Sequence, residues 1–255
     1  NGQLIDIQDR STGVFPADPM LIFSQWRAFE EWANYQQPRA EDPEVSSGAF
    51  LACAPRPRQV FGIGLNYRAH ATEADLPIPK QPMVFTKFPS CISAPNAPIV
   101  LSSDRVDWEV ELVVVIGEGG REIKRADALG RVAGFCVGQD ISDRRRQFGD
   151  KPPQFSLGKS FPGYGPVGPS VVGLSALPQP EDLWLSCDID GERVQDARTS
   201  DMIFPVSELV SYLSRFVELL PGDLIFTGTP SGVGATRPPR RYLPPDAPLL
   251  RAVAE

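Results

Sequence analysis

Residues 107–117 have the sequence DWEVELVVVIG, and this stretch decides what kind of fold the chain adopts. The run of Val, Leu and Ile that ends at Gly117 predicts a β-strand. Because side chains alternate between the two faces of a strand, Glu109 and Glu111 point to one face and Val110 to the other. Two carboxylates in a strand that continues as LVVVI are costly to bury without a counter-charge. A bound cation would supply that charge.

The rest of the chain alternates short apolar segments with frequent turns. Its 27 prolines and 22 glycines are spread along the sequence. Frequent breakers with short apolar runs between them are typical of short strands joined by turns. Strands are predicted in RQVFGIGLNY, QPMVFTKFPSC, NAPIVLSS, AGFCVGQDIS, SVVGL, DLWLSCDIDGERV and PGDLIFTGTP. Since there is no regular βαβ alternation, the predicted class is α+β and β-dominated.

Helical spacing is confined to a few segments. In PADPMLIFSQWRAFEEWANYQ, apolar side chains recur near helical spacing, and Pro19 suits the first turn of a helix. A second helix is predicted in SDMIFPVSELVSYLSRFVELL, ending at Pro221-Gly222, and a short one at ADALGRV.

The chain divides into a small N-terminal module, residues 1–45, and a larger domain, residues 50–255. In the module, QLIDIQ and GVF predict two short strands that precede the helical segment. The polar segment PRAEDPEVSSG predicts a linker to the larger domain.

Composition and charge argue against several classes of binding partner and site. The net charge of −7 and the sequence pI near 4.9 argue against nucleic acid as a partner. There is no apolar run long enough to predict a membrane span. The four cysteines are spaced for neither a zinc site nor a disulfide framework. Reduced thiols beside apolar segments predict a cytoplasmic protein.

The first candidate site combines Glu109, Glu111 and Asp140. Asp140 follows the strand AGFCVGQ, where active-site loops commonly begin. Three carboxylates without Cys or His at ligand spacing would form an all-oxygen site, which favours Mg²⁺, Mn²⁺ or Ca²⁺ over zinc. On spacing alone, the favoured interpretation is different: Glu109 and Glu111 would lie on the solvated face of an edge strand.

Four further residues are candidates from their local sequence. His70, the only histidine, precedes Glu73 by three residues, which places both on one helical face as a His–acid pair that activates water; a surface pair is the alternative. Lys159 lies in the Gly- and Pro-rich segment SLGKSFPGYGP, and Lys87 is flanked by aromatic residues. Either lysine would neutralise a substrate carboxylate or enolate, or else lie on the surface.

A Gly-rich turn follows the last predicted strand, in FTGTPSGVG at residues 226–234. Its backbone N–H groups and the hydroxyls of Thr227 and Thr229 would suit an anion, although an ordinary turn has the same composition. Gly62-x-Gly64 lacks the third glycine and the βαβ setting of a dinucleotide site.

Taken in series, these segments resemble the fumarylacetoacetate hydrolase superfamily, in particular its bacterial acylpyruvase and 2-oxo-acid hydratase-like members. The matching segments cover residues 60–234 in the family's order: GLNYRAHATE, MVFTKFPS, DWEVELVVVIG, AGFCVGQDISDR, LGKSFPGYGPVGP, DGERVQDARTSDMIF and LLPGDLIFTGTPSGVG. The resemblance implies a mixed β-roll core with flanking helices, a small N-terminal domain and a homodimer.

The resemblance also implies roles for individual residues. Glu109, Glu111 and Asp140 correspond to the ligands of Mg²⁺ or Mn²⁺. His70 and Glu73 correspond to a pair in a mobile lid helix that acts on water, and Lys159 to the pocket lysine. The remaining residues are expected to contact substrate: Lys87, Arg144, Gln147 and Thr229.

The activity implied is hydrolysis of a C–C bond in an acylpyruvate-like or diketo acid, with a metal-stabilised enolate and a His-activated water. An oxaloacetate-type decarboxylase or a 2-oxo-alkenoate hydratase on the same scaffold is the alternative, followed by a non-catalytic binding protein.

This sequence departs from the family pattern at Pro162 and Arg145, where an acid is frequent, so the substrate's identity is not carried over. Family members continue through a further Gly-rich strand where this chain ends, so the C-terminal end of the domain is expected to be incomplete.

Overall fold

The structure is a computed structural model that describes residues 3–44, 50–245 and 250–254. Within these residues the strands are mostly short, as the frequent turns predict. They are β1 (Val60–Gly64), β2 (Met83–Thr86), β3 (Ile92–Ser93), β4 (Val106–Asp107), β5 (Val110–Ile116), β6 (Val132–Gln139), β7 (Ser142–Asp143), β8 (Gly165–Val172), β9 (Trp184–Ile189), β10 (Glu192–Arg198), β11 (Leu224–Phe226) and β12 (Leu250–Ala254). The α-helices are α1 (Ile7–Arg10), α2 (Pro19–Phe23), α3 (Trp26–Ala33), α4 (Arg68–Glu73), α5 (Arg144–Phe148), α6 (Phe155–Gly158) and α7 (Val206–Ser214).

A mixed sheet forms the centre of the molecule. Seven strands are hydrogen-bonded in the order β2-β1-β11-β5-β6-β8-β3, a second sheet has the order β10-β9-β12, and β4 pairs with β7. Most pairs are antiparallel, but β1 runs parallel to β11 and β3 runs parallel to β8. The predicted α+β, β-dominated class is therefore confirmed. No helix in the described residues is long and apolar enough to cross a membrane.

Strand β5 lies in the middle of this sheet, between β11 and β6. All seven of its residues are buried, because both faces of the strand are covered. Leu112, Val114 and Ile116 on one face join the core cluster that contains α7. Val113 and Val115 on the other face pack in a cluster with Phe23 of α2. The solvated edge strand that spacing alone favoured is therefore excluded.

The N-terminal module is helical, so the two strands predicted in it are wrong. QLIDIQ runs into helix α1, whose first turn is capped by the Asp6 side chain accepting from Asp9 N–H. GVF lies in a turn and bend. The predicted helical segment is confirmed as α2 and α3, with Pro19 in the first turn of α2 under an Asp18 cap. Aromatic side chains of α3 stack on each other, as Trp26–Phe29 and Phe29–Trp32.

Two other segments differ from their predicted structure, and the predicted linker lies partly outside the described residues. ADALGRV forms two 3₁₀ turns, Arg125–Asp127 and Leu129–Arg131, rather than an α-helix. NAPIVLSS forms no strand: Ile99 and Leu101 pack on the core, but Val100 is exposed and Pro98 has no N–H to donate to a ladder. The predicted linker has no helix or strand up to residue 43, and its residues 45–48 lie outside the described part of the chain.

Candidate active site

Three carboxylates converge where β5 begins and β6 ends. Glu109 precedes β5, Glu111 lies in it, and Asp140 follows β6. The antiparallel register places Val110 opposite Gln139, and Asp140 N–H donates to Glu109 C=O at 2.8 Å. Carboxylate oxygens of the three residues lie within 4.8 Å of one another, and all three residues are buried. The chain fold therefore concentrates three acids in one buried site.

Two lysine ammonium groups enter this site and are themselves buried. Lys159 Nζ lies 2.7 Å from Glu109 Oε2, 2.7 Å from Asp140 Oδ2 and 2.8 Å from Ser142 Oγ. Lys87 Nζ lies 2.7 Å from Asp140 Oδ1 and also donates to the backbone carbonyls of Lys159 and Tyr164. Lys87 was predicted to contact substrate, but it pairs with Asp140 alone among the three acids. Of the two lysines, Lys159 is the one that bridges two of the acids.

These contacts set the protonation of the acids in opposite directions. Burial works to raise the pKa of Glu109, but the charges of Lys159 and Arg144 outweigh burial and hold that pKa at about 2. Burial, reinforced by Asp140 and Glu109, raises the pKa of Glu111 well above its ordinary value. Burial likewise opposes the charge of Lys159, yet Asp140 and Glu109 raise its pKa. Glu109 and Lys159 are therefore charged, and Glu111 is the acid whose charge the site leaves uncompensated.

This uncompensated acid provides a test of whether the residues suit a metal. Glu111 Oε2 accepts the Gly228 N–H at 2.7 Å, and within the described residues the carboxylate takes part in no ion pair. The three converging carboxylates offer the oxygen ligands that Mg²⁺, Mn²⁺ and Ca²⁺ prefer, and Glu111 is left without an ion-pair partner among the described residues. The side chains of Glu109, Glu111 and Asp140 therefore fit a divalent cation.

His70 and Glu73 lie on one face of α4, as their spacing predicts. His70 Nδ1 lies 2.6 Å from Glu73 Oε1, and Glu73 Oε2 accepts the Gly232 N–H at 3.0 Å. Burial opposes the charge of Glu73, but the hydrogen bonds from His70 and Gly232 lower its pKa. The His70 side chain is 13% exposed, and Glu73 ties it to the Gly-rich turn, which also carries the Gly228 N–H that donates to Glu111. The pair is therefore beside the carboxylates rather than on the open surface.

Helix α5 contributes Arg144 and Gln147 to the same site. Arg144 Nη2 lies 2.6 Å from Glu109 Oε1, and Arg144 Nε donates to Asp107 at 2.9 Å. Arg144 Nη1 donates to Gln147 Oε1 at 2.9 Å, which leaves the Gln147 amide N–H₂ as a donor. Arg144 thus braces Glu109 and orients Gln147.

Thr229 lies on the Gly-rich turn, but its hydroxyl is occupied. It donates to Val110 C=O at 3.0 Å and accepts from Gln195 Nε2 at 2.8 Å. A hydroxyl has one proton to donate, so Thr229 as placed here offers a substrate oxygen no hydroxyl donor. The predicted substrate contact of Thr229 thus has no support from its hydroxyl in this structure.

Sequence reasoning missed three buried polar residues that build the site. Asp107 accepts N–H groups of Gly234 and Ala235 besides the Arg144 guanidinium. Gln139 Oε1 accepts Glu109 N–H at 3.0 Å, and Gln195 Oε1 accepts Val110 N–H at 2.9 Å. Asp107 and Gln139 adjoin the acidic residues in sequence, which is a usable signal, whereas Gln195 lies on a distant strand.

Comparison with known proteins agrees with this geometry. A family model described as "Fumarylacetoacetate (FAA) hydrolase C-terminal" matches residues 59–248. This chain belongs to the fumarylacetoacetate hydrolase family. The resemblance inferred from the seven sequence segments is confirmed, and the protein belongs to a family of enzymes.

Relatives within the family carry several activities. The oxaloacetate tautomerase FAHD2B, mitochondrial, of Bos taurus is 44% identical over 200 residues, which cover 78% of this chain and 64% of the relative. The chain therefore spans just under two thirds of that relative's length. A candidate HpcE protein from Mycobacterium smegmatis is 49% identical, with a TM-score of 0.94, and covers 100% of this chain and 90% of that one.

A third relative was crystallised with a cation. The fumarylpyruvate hydrolase from Pseudomonas aeruginosa, in complex with Mn²⁺ and pyruvate, is 30% identical with a TM-score of 0.69 and covers 86% of this chain and 94% of that one. The Mn²⁺ in this relative agrees with the oxygen-ligand site found here.

Proposed function

We propose that this family member is a divalent-cation-dependent hydrolase that cleaves a C–C bond in an acylpyruvate-like or diketo acid. The observation that carries the proposal is the His70–Glu73 pair beside the three carboxylates. Because Nδ1 of His70 faces the Glu73 carboxylate at 2.6 Å, the neutral imidazole holds its proton on Nδ1 and keeps the lone pair on Nε2. An imidazole with a free Nε2 next to a cation site is arranged to activate water.

The proton transfers follow from this tautomer. His70 Nε2 takes a proton from water, and the Glu73 carboxylate stabilises the imidazolium that results. The hydroxide adds to the distal carbonyl of the substrate. The bond between that carbon and the neighbouring CH₂ then breaks, and its electron pair passes into the pyruvate enolate. A proton finally returns to the enolate carbon, which completes the addition of one water.

The developing negative charge needs a positive environment. A divalent cation held by Glu109, Glu111 and Asp140 supplies a Lewis acid for the 2-oxo acid and its enolate. Lys159 adds a fixed ammonium charge, because Glu109 and Asp140 keep it protonated. The amide N–H₂ of Gln147 is the better-placed hydrogen-bond donor to the tetrahedral oxyanion, since the Thr229 hydroxyl is occupied. Losing one such donor typically lowers the rate about 10²-fold or more.

A tautomerase is the second candidate, favoured by relatives that are 44% identical and named oxaloacetate tautomerases. Tautomerisation of a 2-oxo acid uses the same enolate and a proton shuttle but no water nucleophile. The decarboxylase and hydratase alternatives also start from this enolate, so reaction products must separate them. The homodimer, the cytoplasmic location and the preferred ion stay predictions.

The deciding experiment uses purified protein stripped with a chelator and then supplied with Mg²⁺ or Mn²⁺. Acetylpyruvate and oxaloacetate are offered separately, and products are followed by NMR. Metal-restored acetate and pyruvate from acetylpyruvate support the hydrolase. Formation of pyruvate and carbon dioxide from oxaloacetate, with no reaction of acetylpyruvate, would indicate a decarboxylase. Faster keto–enol exchange without bond cleavage would indicate a tautomerase. Metal binding without turnover refutes the proposed substrate, and neither binding nor turnover points to a non-catalytic protein.

A further inference from the structure

Gln195 is a buried amide with no part in the proposed chemistry. It lies on β10, in the three-stranded sheet, next to a register irregularity between Arg193 and Gln195. Asp196, the next residue in sequence, is exposed, whereas Gln195 is only 2% exposed. Its side chain therefore points inward, from a sheet that contributes none of the three carboxylates.

The Gln195 side chain joins two segments of the site. Its Oε1 accepts the N–H of Val110 at 2.9 Å. Its Nε2 donates to Thr229 Oγ1 at 2.8 Å and to Pro230 C=O at 2.9 Å. The amide oxygen of Gln195 thus binds strand β5, and its amide nitrogen binds the Gly-rich turn.

Both segments carry the atoms that place the acids. Val110 lies between Glu109 and Glu111. The hydrogen bond from its N–H to Gln195 therefore holds the stretch of backbone from which both carboxylates project. The turn also carries Gly228, whose N–H donates to Glu111 Oε2 at 2.7 Å. A shift of the turn relative to β5 would therefore rotate the Glu111 carboxylate away from the other two acids.

We propose that Gln195 is a positioning residue for the divalent-cation site, which fixes Glu111 relative to Glu109 by clamping β5 to the Gly-rich turn. The inference rests on the proposed function only through the cation, not through the substrate. Residues that orient metal ligands without contacting the metal typically change metal affinity or activity about 10- to 100-fold when replaced. The same loss is expected for Gln195.

The test substitutes Gln195→Met, which keeps the unbranched shape of the side chain and removes both hydrogen-bonding ends. The matched control is Gln59→Met. Gln59 also joins distant segments, donating through Nε2 to Glu218 C=O at 2.9 Å and to Asp223 Oδ2 at 2.7 Å, and it contacts none of the three carboxylates. Mn²⁺ affinity of chelator-stripped protein is measured from the EPR signal of free Mn²⁺, with circular dichroism and thermal unfolding as the check on folding.

The expected result is about 10- to 100-fold weaker Mn²⁺ binding for folded Gln195→Met and an unchanged affinity for Gln59→Met. Wild-type affinity in folded Gln195→Met overturns the inference. If that variant does not fold, Gln195→Asn replaces it, because it retains both ends on a shorter side chain; wild-type Mn²⁺ affinity in folded Gln195→Asn overturns the clamp equally. Absence of Mn²⁺ binding by the wild type would instead refute the cation site, and with it the proposed function.

Discussion

His70 Nδ1 lies 2.6 Å from Glu73 Oε1, one helical turn further along α4. The other Glu73 oxygen is held by Gly232 N–H, so the pair also ties this helix to the Gly-rich turn. Glu73 therefore fixes both the tautomer and the position of the imidazole. This single contact makes His70 the candidate base.

Replacing His70 by alanine should separate hydrolysis from decarboxylation. We expect His70→Ala to lower acetylpyruvate hydrolysis about 10²- to 10⁴-fold, because the step that activates water loses its general base. Decarboxylation of oxaloacetate, which needs an enolate sink but no water nucleophile, should fall far less. Product formation by NMR at equal Mn²⁺ loading measures both. Equal losses would remove the water-activating role.

Glu111→Gln should separate metal binding from stability. The carboxylate is buried near two like charges and forms no ion pair in the described residues, so its charge destabilises the metal-free fold. Glutamine keeps an oxygen for the Gly228 N–H. We expect an unchanged or higher unfolding temperature without metal, together with a large loss of Mn²⁺ affinity.

The contrasting variant is Glu109→Gln, which leaves Lys159 and Arg144 without their shared acid. Its metal-free form should be destabilised, since an unpaired buried charge is unfavourable. Thermal unfolding of both variants, with Mn²⁺ titration, checks the pair. A strongly destabilised Glu111→Gln protein would contradict this account of the electrostatics.

Lys87→Met should destabilise the protein, because Lys87 is the buried ion-pair partner of a buried acid. Lys87 is 1% exposed and pairs with Asp140 at 2.7 Å. Removing one partner of a buried pair typically costs about 3–5 kcal/mol. Lys80→Met, at an exposed position, is the control and should stay within about 0.5 kcal/mol of the wild type. Urea unfolding measures both, and equal stabilities would show that Asp140 does not need Lys87.

Asp223 should make stability depend on pH. It accepts three hydrogen bonds, from Leu220 N–H and from the backbone and side chain of Gln59, yet burial outweighs them and raises its pKa from 3.8 to about 6. Because the folded-state pKa is raised, this group's stabilising contribution is complete below about pH 4 and is lost as pH rises through about 6.

Asp223→Asn carries no titrating group at this position, and its lost hydrogen bonds cost the same at every pH. We therefore expect the difference in unfolding free energy, Asn variant minus wild type, to shift by about 1–3 kcal/mol in favour of the variant between pH 4 and pH 7. Urea unfolding at a series of pH values measures that difference. A difference that stays constant would refute the raised pKa.

Part of the site was predictable from local sequence, because strand and helix periodicities are local properties. Alternation along β5 puts Glu109 and Glu111 on one face, and a spacing of three puts His70 and Glu73 on one face of α4. Whether β5 is an edge or a central strand is not local. Spacing alone favoured an edge, and the pairing of β5 with both β11 and β6 reversed that interpretation.

The partners of the polar groups were beyond local reasoning for the same reason. Lys87 and Thr229 were predicted to contact substrate, but contacts with residues 53 and 119 positions away in sequence occupy their polar atoms. Gln195 reaches Val110 across 85 positions, and no spacing rule links them. In the N-terminal module, the side-chain cap from Asp6 favours helix α1 over the strand predicted in QLIDIQ.

The sequence by itself determined the α+β, β-dominated class, the family and the residue types that make an all-oxygen cation site. Those follow from composition, from short-range periodicity and from a series of motifs. Tertiary structure alone decided that β5 is central and buried, that Lys159 bridges two acids while Lys87 supports one, and that Glu111 lacks a counter-charge. The physical reason is that burial and ion pairing depend on which distant strands become neighbours. The free-energy cost of each charge is therefore set only when the tertiary structure has formed.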